Sequence, residues 1–309
     1  LLLDTRITFG GVAGCGSFGR PADAWKEVIL SKFDLVHIFR WVDNNLFVKE
    51  VASVTDMKDV VARSDELGVQ TNTKKYSDFA ICQKFIGFVW NGVDKTVSLP
   101  PGKKEERIRQ ILPFLEPEAT FTHNETLVLA GRLNHVSYLL PQLRCYMRSI
   151  YRWQMSWQNL SAKKKTPGDV AEDLGWWLTS LEEFTDAKLI PEPDPTDVGW
   201  MGDASTSYGV GILIGKKWAQ FALRDMTNHH SIAWLETIAV RLGLLVLLQL
   251  GVTPGRRFTV WMDNLTTLAA IKQCKLRDEA VNNKWKRIQR ILLSHNIDIH
   301  PQRVTSQEN

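Results

Sequence analysis

Residues 198–215 read VGWMGDASTSYGVGILIG, an apolar run that meets a Ser/Gly-rich turn and returns as a second apolar run. Two β-strands joined by a turn are the reading that such spacing supports. The stretch matters because Asp203 sits inside it, at a position that otherwise reads as core. Two further acids are placed in the same way. Glu236 lies within SIAWLETIAVRLGLLVLLQLG (231–251), a long apolar helix, and Asp263 follows the apolar strand FTVWM, just before a helix opens at NLTTLAAIK. Ile232, Leu235, Ala239, Leu242, Val246 and Leu250 recur at helical spacing and mark the expected inward face, with Glu236 beside it.

A buried carboxylate is costly without a compensating charge. Hard divalent cations prefer carboxylate oxygens, and Mg²⁺ is commonly held by a few of them together with substrate phosphate. Two such ions, roughly 3.5–4 Å apart, activate water and stabilise the leaving oxygen in phosphodiester cleavage. Each acid also has a plain structural reading. Asp203 can belong to an Asp-Ala-Ser turn, Glu236 can reach solvent from the edge of its stripe, and Asp263 can be the N-cap of the following helix. The three together, in the order strand, helix, strand, favour the metal site.

The order DAS…GVG, an LET helix and WMDN at a strand end resembles the ribonuclease H domain of retrotransposon polyproteins, above all those of gypsy-like and DIRS-type elements. The resemblance implies that Asp203, Glu236 and Asp263 are catalytic and bind two Mg²⁺ ions, with Mn²⁺ as a substitute. It also implies a fourth acid soon after a segment like RVTSQEN. The sequence given ends at Asn309, so that acid is expected to be missing, with Glu308 a poor replacement. Ser205 and Asn264 are the expected strand contacts near the acids. The histidines His229, His230 and His300 carry no assigned role.

Upstream, DLVHIFRWVDNNLFVKE places two β-rich runs around Asp43-Asn44-Asn45, residues suited to a tight hairpin turn. This hairpin resembles the one that carries paired aspartates in reverse transcriptases. FGRPADAW, ELGVQTNTKK and KFIGFVWN follow the order of other polymerase-palm motifs. The second acid is replaced by Asn44. The palm's remaining aspartate belongs on a strand before the glycine-rich stretch GGVAGCGSFGRP, and Asp4 is too close to that stretch to serve. The polymerase site, reduced to Asp43 and Asn44, is expected to be inactive, because positioning dominates phosphoryl transfer. Lys74 and Lys75 are expected on a solvated loop. The glycine-rich stretch itself reads as a loop before a proline-started helix.

Between these ends lie amphipathic helical segments. Ile108, Ile111, Leu112 and Leu115 form one apolar stripe, and HNETLVLAGRLNHVSYLLPQLRCYMRSIYRW continues the pattern. By resemblance this is a thumb and connection, and Arg107, Arg132, Arg144 and Arg148 are expected to neutralise phosphates. Tyr138, Tyr146, Tyr151, Trp153 and Trp157 are expected in packing rather than base stacking.

The expected fold is α/β (α+β): a partial reverse-transcriptase palm over 1–98, a helical thumb/connection over 99–190, and a ribonuclease H-like mixed-sheet domain over 198–309. The Pro-rich acidic stretch PEPDPTD is the expected boundary before the last. The 309 residues carry a net charge of only +4, so partners must be read from local patches. Cys15, Cys82, Cys145 and Cys274 show no paired spacing, which argues against a zinc site or a disulfide framework. The run LGLLVLLQL is shorter than the about 20 residues a bilayer requires. No basic-then-apolar leader is evident. An intracellular protein acting on an RNA–DNA hybrid or other nucleic acid, with no membrane partner, is the expectation.

Overall fold

The computed structural model describes residues 14–72, 74–189, 194–223 and 231–305. The chain divides into two compact units, Leu1–Pro100 and Pro101–Asn309. It is an α/β protein with mixed sheets.

In the first unit, helix α1 (Gly14–Lys32) lies against the hairpin of β1 (His37–Trp41) and β2 (Asn44–Val48), followed by α2 (Met57–Glu66). Strands β3 (Cys82–Phe85), β4 (Phe88–Asn91) and β5 (Thr96–Ser98) form an antiparallel meander. Trp25 and Ile29 of α1 pack with Ile38, Met57 and Val60 into a small core. Two expectations change here. The part of the glycine-rich stretch from Gly14 onward is helical rather than loop, and Pro21 lies inside α1. The hairpin turn is Val42-Asp43, because Trp41 pairs with Asn44 and Arg40 with Asn45. Burial decides that register: fully buried Ile38 pairs with Phe47, whose ring meets Trp25 edge-on.

The second unit opens with helix α3 (Lys103–Leu115), the short strand β6 (Thr120–Phe121) and α4 (His123–Val136). A 3₁₀ turn at Pro141–Tyr146 leads into α5 (Met147–Met155). Strand β7 (Lys164–Lys165), helix α6 (Gly168–Glu183) and strand β8 (Ala187–Lys188) follow. Thr122 caps α4 in a reciprocal capping box with Glu125. On α3 the buried positions are Ile111 and Phe114, while Leu112 faces outward. Tyr146, Trp153 and Trp157 are buried, whereas Tyr138 and Tyr151 are exposed.

The rest is a five-stranded mixed sheet. Strands β9 (Thr196–Ser205), β10 (Gly209–Ile214) and β11 (Lys217–Phe221) are antiparallel neighbours. Helix α7 (Ile232–Gln249) crosses back to β12 (Arg257–Met262), parallel to β9. Helices α8 (Leu265–Gln273) and α9 (Glu279–Ser294) then lead to β13 (Asp298–Arg303), parallel to β12. The sheet order is β11-β10-β9-β12-β13. On β10, Val210, Ile212 and Ile214 alternate inward, as a half-covered strand requires. Central β12 buries Phe258, Thr259, Val260 and Met262.

Helix α7 rests on β9 and β10 and packs against α9. Its whole length, with mean hydropathy 1.7, matches a membrane span by length and composition, which the shorter run LGLLVLLQL alone does not. Its buried face runs through Leu235, Glu236, Ala239, Val240, Gly243, Leu244 and Leu247. Ile232 and Leu250, expected inward, are exposed. The face is therefore rotated from the expected one, and Glu236 lies within it rather than beside it. The sheet sets this rotation: Trp200 is received at Gly243, and Gly202 is covered by Ala239.

Candidate metal centre

Asp203 is the third residue from the turn end of β9 and pairs with Gly211 of β10. The return from β9 to β10 needs Gly209, whose φ is +107° and whose position leaves no room for a side chain. A Cβ there would lie 2.1 Å from the Phe221 carbonyl oxygen. Glu236 lies in the second turn of α7, five residues beyond Ser231, whose hydroxyl accepts the Trp234 N–H as the N-cap. Asp263 follows Met262, the buried last residue of β12. The cap of α8 is its neighbour: Asn264 Oδ1 accepts the Thr267 N–H at 3.0 Å, so the capping role weighed for Asp263 belongs to Asn264.

These three carboxylates converge. One oxygen from each of Asp203, Glu236 and Asp263 lies within 4.8 Å of the others. Asp203 is exposed, Asp263 half-buried and Glu236 only 5% exposed. Burial, and then the charges of Asp203 and Asp263, push the Glu236 carboxyl up to about 8, against a hydrogen bond from the Ala204 main chain that favours the charged form. Three carboxylates this close repel one another strongly, and a divalent cation is the species that offsets such a set. The donor set is all oxygen, which fits Mg²⁺ or Mn²⁺ and not a soft metal.

Ser205 lies at the end of β9, where its hydroxyl accepts the Ser207 N–H at 3.2 Å. It shares with Asp203 a groove of about 480 Å³ along β9, β10 and β11. The arginines expected at phosphates are spread over separate elements. Arg107 on α3 is held by Glu106 at 2.9 Å and Gln110 at 2.8 Å. Arg132 is half-buried on α4, and Arg144 lies over the Tyr138 ring at 5.7 Å. Arg148 on α5 lines a cavity closed by α6 and α9.

In the first unit, Asp43 is exposed in the hairpin turn and accepts a hydrogen bond from the Asn44 amide at 3.1 Å. Among the described residues, the Asp203 set is the one grouping of three or more potential metal ligands, and Asp43 has no part in it. Lys74 and Lys75 are exposed. His229, His230 and Glu308 lie outside the described residues. His300 is half-buried on β13, with its basicity lowered first by burial and then by Arg257 and Lys272.

Sequence reasoning missed a second polar cluster. Asp173 of α6 is buried and takes Lys286 Nζ of α9 and Ser149 Oγ of α5, both at 2.5 Å. Nearby, buried Asn282 donates to the Cys145 carbonyl at 3.0 Å. The signal available was an acid at a helix position between Val170 and Leu174, both core residues.

No family model and no curated protein matches the chain. Among solved structures, it is similar to the foamy viral protease–reverse transcriptase. With the complex holding an RNA/DNA hybrid, the TM-score is 0.47 at 12% identity, covering 96% of this chain and 39% of that one. With the double-stranded DNA complex, the values are 0.45, 15%, 96% and 60%. The chain thus spans less than two thirds of the length of these structures.

Proposed function

We propose that the chain is a retroelement-derived reverse transcriptase/ribonuclease H fragment that cleaves the RNA strand of an RNA–DNA hybrid in a Mg²⁺-dependent reaction. The observation that carries this reading is the convergence of Asp203, Glu236 and Asp263 from a strand, a helix and a strand end to within 4.8 Å. When bound, Mg²⁺ or Mn²⁺ would supply Lewis-acid activation of a phosphodiester and a more acidic attacking water.

The chain's own residues do the rest. Asp203, Glu236 and Asp263 hold the cations. Rigid β9, α7 and β12 fix the carboxylates relative to one another, and such positioning supplies much of the rate in phosphoryl transfer. The Ala204 main chain holds the Glu236 carboxylate in place. Ser205 and Asn264 border the acids and suit phosphate or 2′-hydroxyl contacts. Polymerase activity is not part of this reading, because Asp43 stands beside a neutral Asn44.

The test is incubation with a labelled RNA–DNA hybrid, single-stranded RNA and duplex DNA in Mg²⁺, beside Asp203→Asn. Cleavage confined to the hybrid and lost in Asp203→Asn is expected. Binding without cutting would assign the chain to the class of non-catalytic nucleic-acid-binding remnants instead. Cutting that persists in Asp203→Asn would remove the three acids from the mechanism.

A further inference from the structure

A cavity of about 320 Å³ lies between α5, α6 and α9, away from the carboxylate set. Its acids are all engaged. Asp173 takes Lys286 and Ser149, and Glu172 takes Arg290 at 2.5 Å. Asp169 and Glu279 both meet Arg152. Arg148 and Arg287 line the same cavity, and among the described residues neither has an ion-pair or hydrogen-bond partner. Asn283 also lines it, one helical turn before Arg287 and so on the same face of α9.

The surrounding charge adds to the imbalance. Lys284 lies near both Arg287 and Arg241, and burial followed by those two arginines lowers its basicity. The lining carries five cationic side chains, Arg148, Arg152, Lys286, Arg287 and Arg290, against four acids, and a cation in excess is stabilised by an anion from outside. The cavity has room for a phosphate and several waters, at about 30 Å³ for each water. Arginine's planar fork matches phosphate oxygens in pairs, and an amide adds a further donor.

We infer that this cavity is a phosphate-binding site in which Arg148, Arg287 and Asn283 are the donors. The phosphate belongs either to a nucleic-acid backbone or to a free phosphate compound in solution. The site is independent of the proposed hydrolysis, since it shares no residue with Asp203, Glu236 and Asp263.

The test uses the whole chain in EDTA, so that cleavage plays no part. Anisotropy of a labelled RNA–DNA hybrid is followed across a salt series for wild type, Arg148→Gln, Arg287→Gln and Lys216→Gln. Thermal melting checks that each variant is folded. For a backbone phosphate, Arg148→Gln and Arg287→Gln each weaken binding several-fold and reduce the slope of log K against log salt by about one, while the exposed-turn control Lys216→Gln does not. A parallel ³¹P titration with inorganic phosphate identifies the other source: line broadening by wild type and not by the variants, with hybrid binding unchanged, assigns the site to a free phosphate compound. If the two arginine variants match wild type in both measurements, the inference is overturned.

Discussion

Gly243 of α7 faces the indole of Trp200 so closely that a Cβ at position 243 would lie 2.2 Å from Trp200 Nε1. Trp200 is fully buried, so its ring has nowhere to move. This contact seats α7 on β9 and thereby sets the distance between Glu236 and Asp203. Gly243→Ala is expected to destabilise the second unit by about 1–3 kcal/mol through overpacking. It should also weaken divalent-ion binding, because the helix must lift from the strand. Urea unfolding checks the first effect and metal titration the second; a variant as stable as wild type would show that α7 is not held by this contact.

The Glu236 carboxyl, pushed up to about 8, gives the metal-free protein a definite pH dependence. The folded state keeps a proton on Glu236 that the unfolded chain releases near 4.5, so stability falls as pH rises from about 4.5 towards 8. Asp173, raised first by burial, adds to the same trend. Glu236→Gln is expected to flatten the trend and to be more stable than wild type near pH 8 in EDTA. Melting temperatures across pH in both proteins test this, and an unchanged slope in the variant would sink it.

Mg²⁺ bound as proposed would offset that penalty. Ligand carboxylates must be ionised, so metal binding competes with the proton on Glu236. The rise in Tm on adding Mg²⁺ is expected to be larger at pH 8 than at pH 6, and to shrink in Asp203→Asn. A rise that is independent of pH, or equal in the variant, would place the ion elsewhere.

The Asp173–Lys286 pair joins α6 to α9 with side chains only 2% and 12% exposed. Lys286→Met leaves Asp173 buried without its cation and is expected to cost about 3–5 kcal/mol. Asp173→Leu combined with Lys286→Met removes both charges and should recover most of that loss. A double-mutant cycle in urea measures the coupling. A double variant no better than Lys286→Met would indicate that packing, not charge, holds the helices there.

Val42 adopts φ +54° at the β1–β2 turn, a region a β-branched residue enters only at a cost. Its side chain is 56% exposed, so little burial is at stake. Val42→Gly is expected to stabilise the hairpin by about 1 kcal/mol once the extra freedom of glycine in the unfolded chain is deducted. Amide exchange of β1 and β2 is the readout, and faster exchange in the variant would contradict the strain.

Much of the second unit is legible in local pattern. Alternation identifies β10, the apolar run identifies β12, and the three acids stand out because each interrupts a stretch that otherwise reads as core. The hairpin turn and the face of α7 are less legible, for different reasons. At the hairpin, Asp43, Asn44 and Asn45 all tolerate turn geometry, so the local chemistry admits more than one register. The choice falls to the burial of Ile38 against the first unit's core. On α7, apolar residues surround most of the helix, so no single stripe is distinguished by spacing.

The residues alone determined most of the elements of the second unit, and that three carboxylates sit on them, because strand and helix periods and turn chemistry are local properties of the chain. Tertiary packing decided how α7 is rotated, that the three carboxylates meet, and that Asp173 finds Lys286 113 positions away. Those outcomes depend on the fit of Trp200 to Gly243 and on contacts between segments far apart in sequence, and no local pattern encodes a distance of that kind.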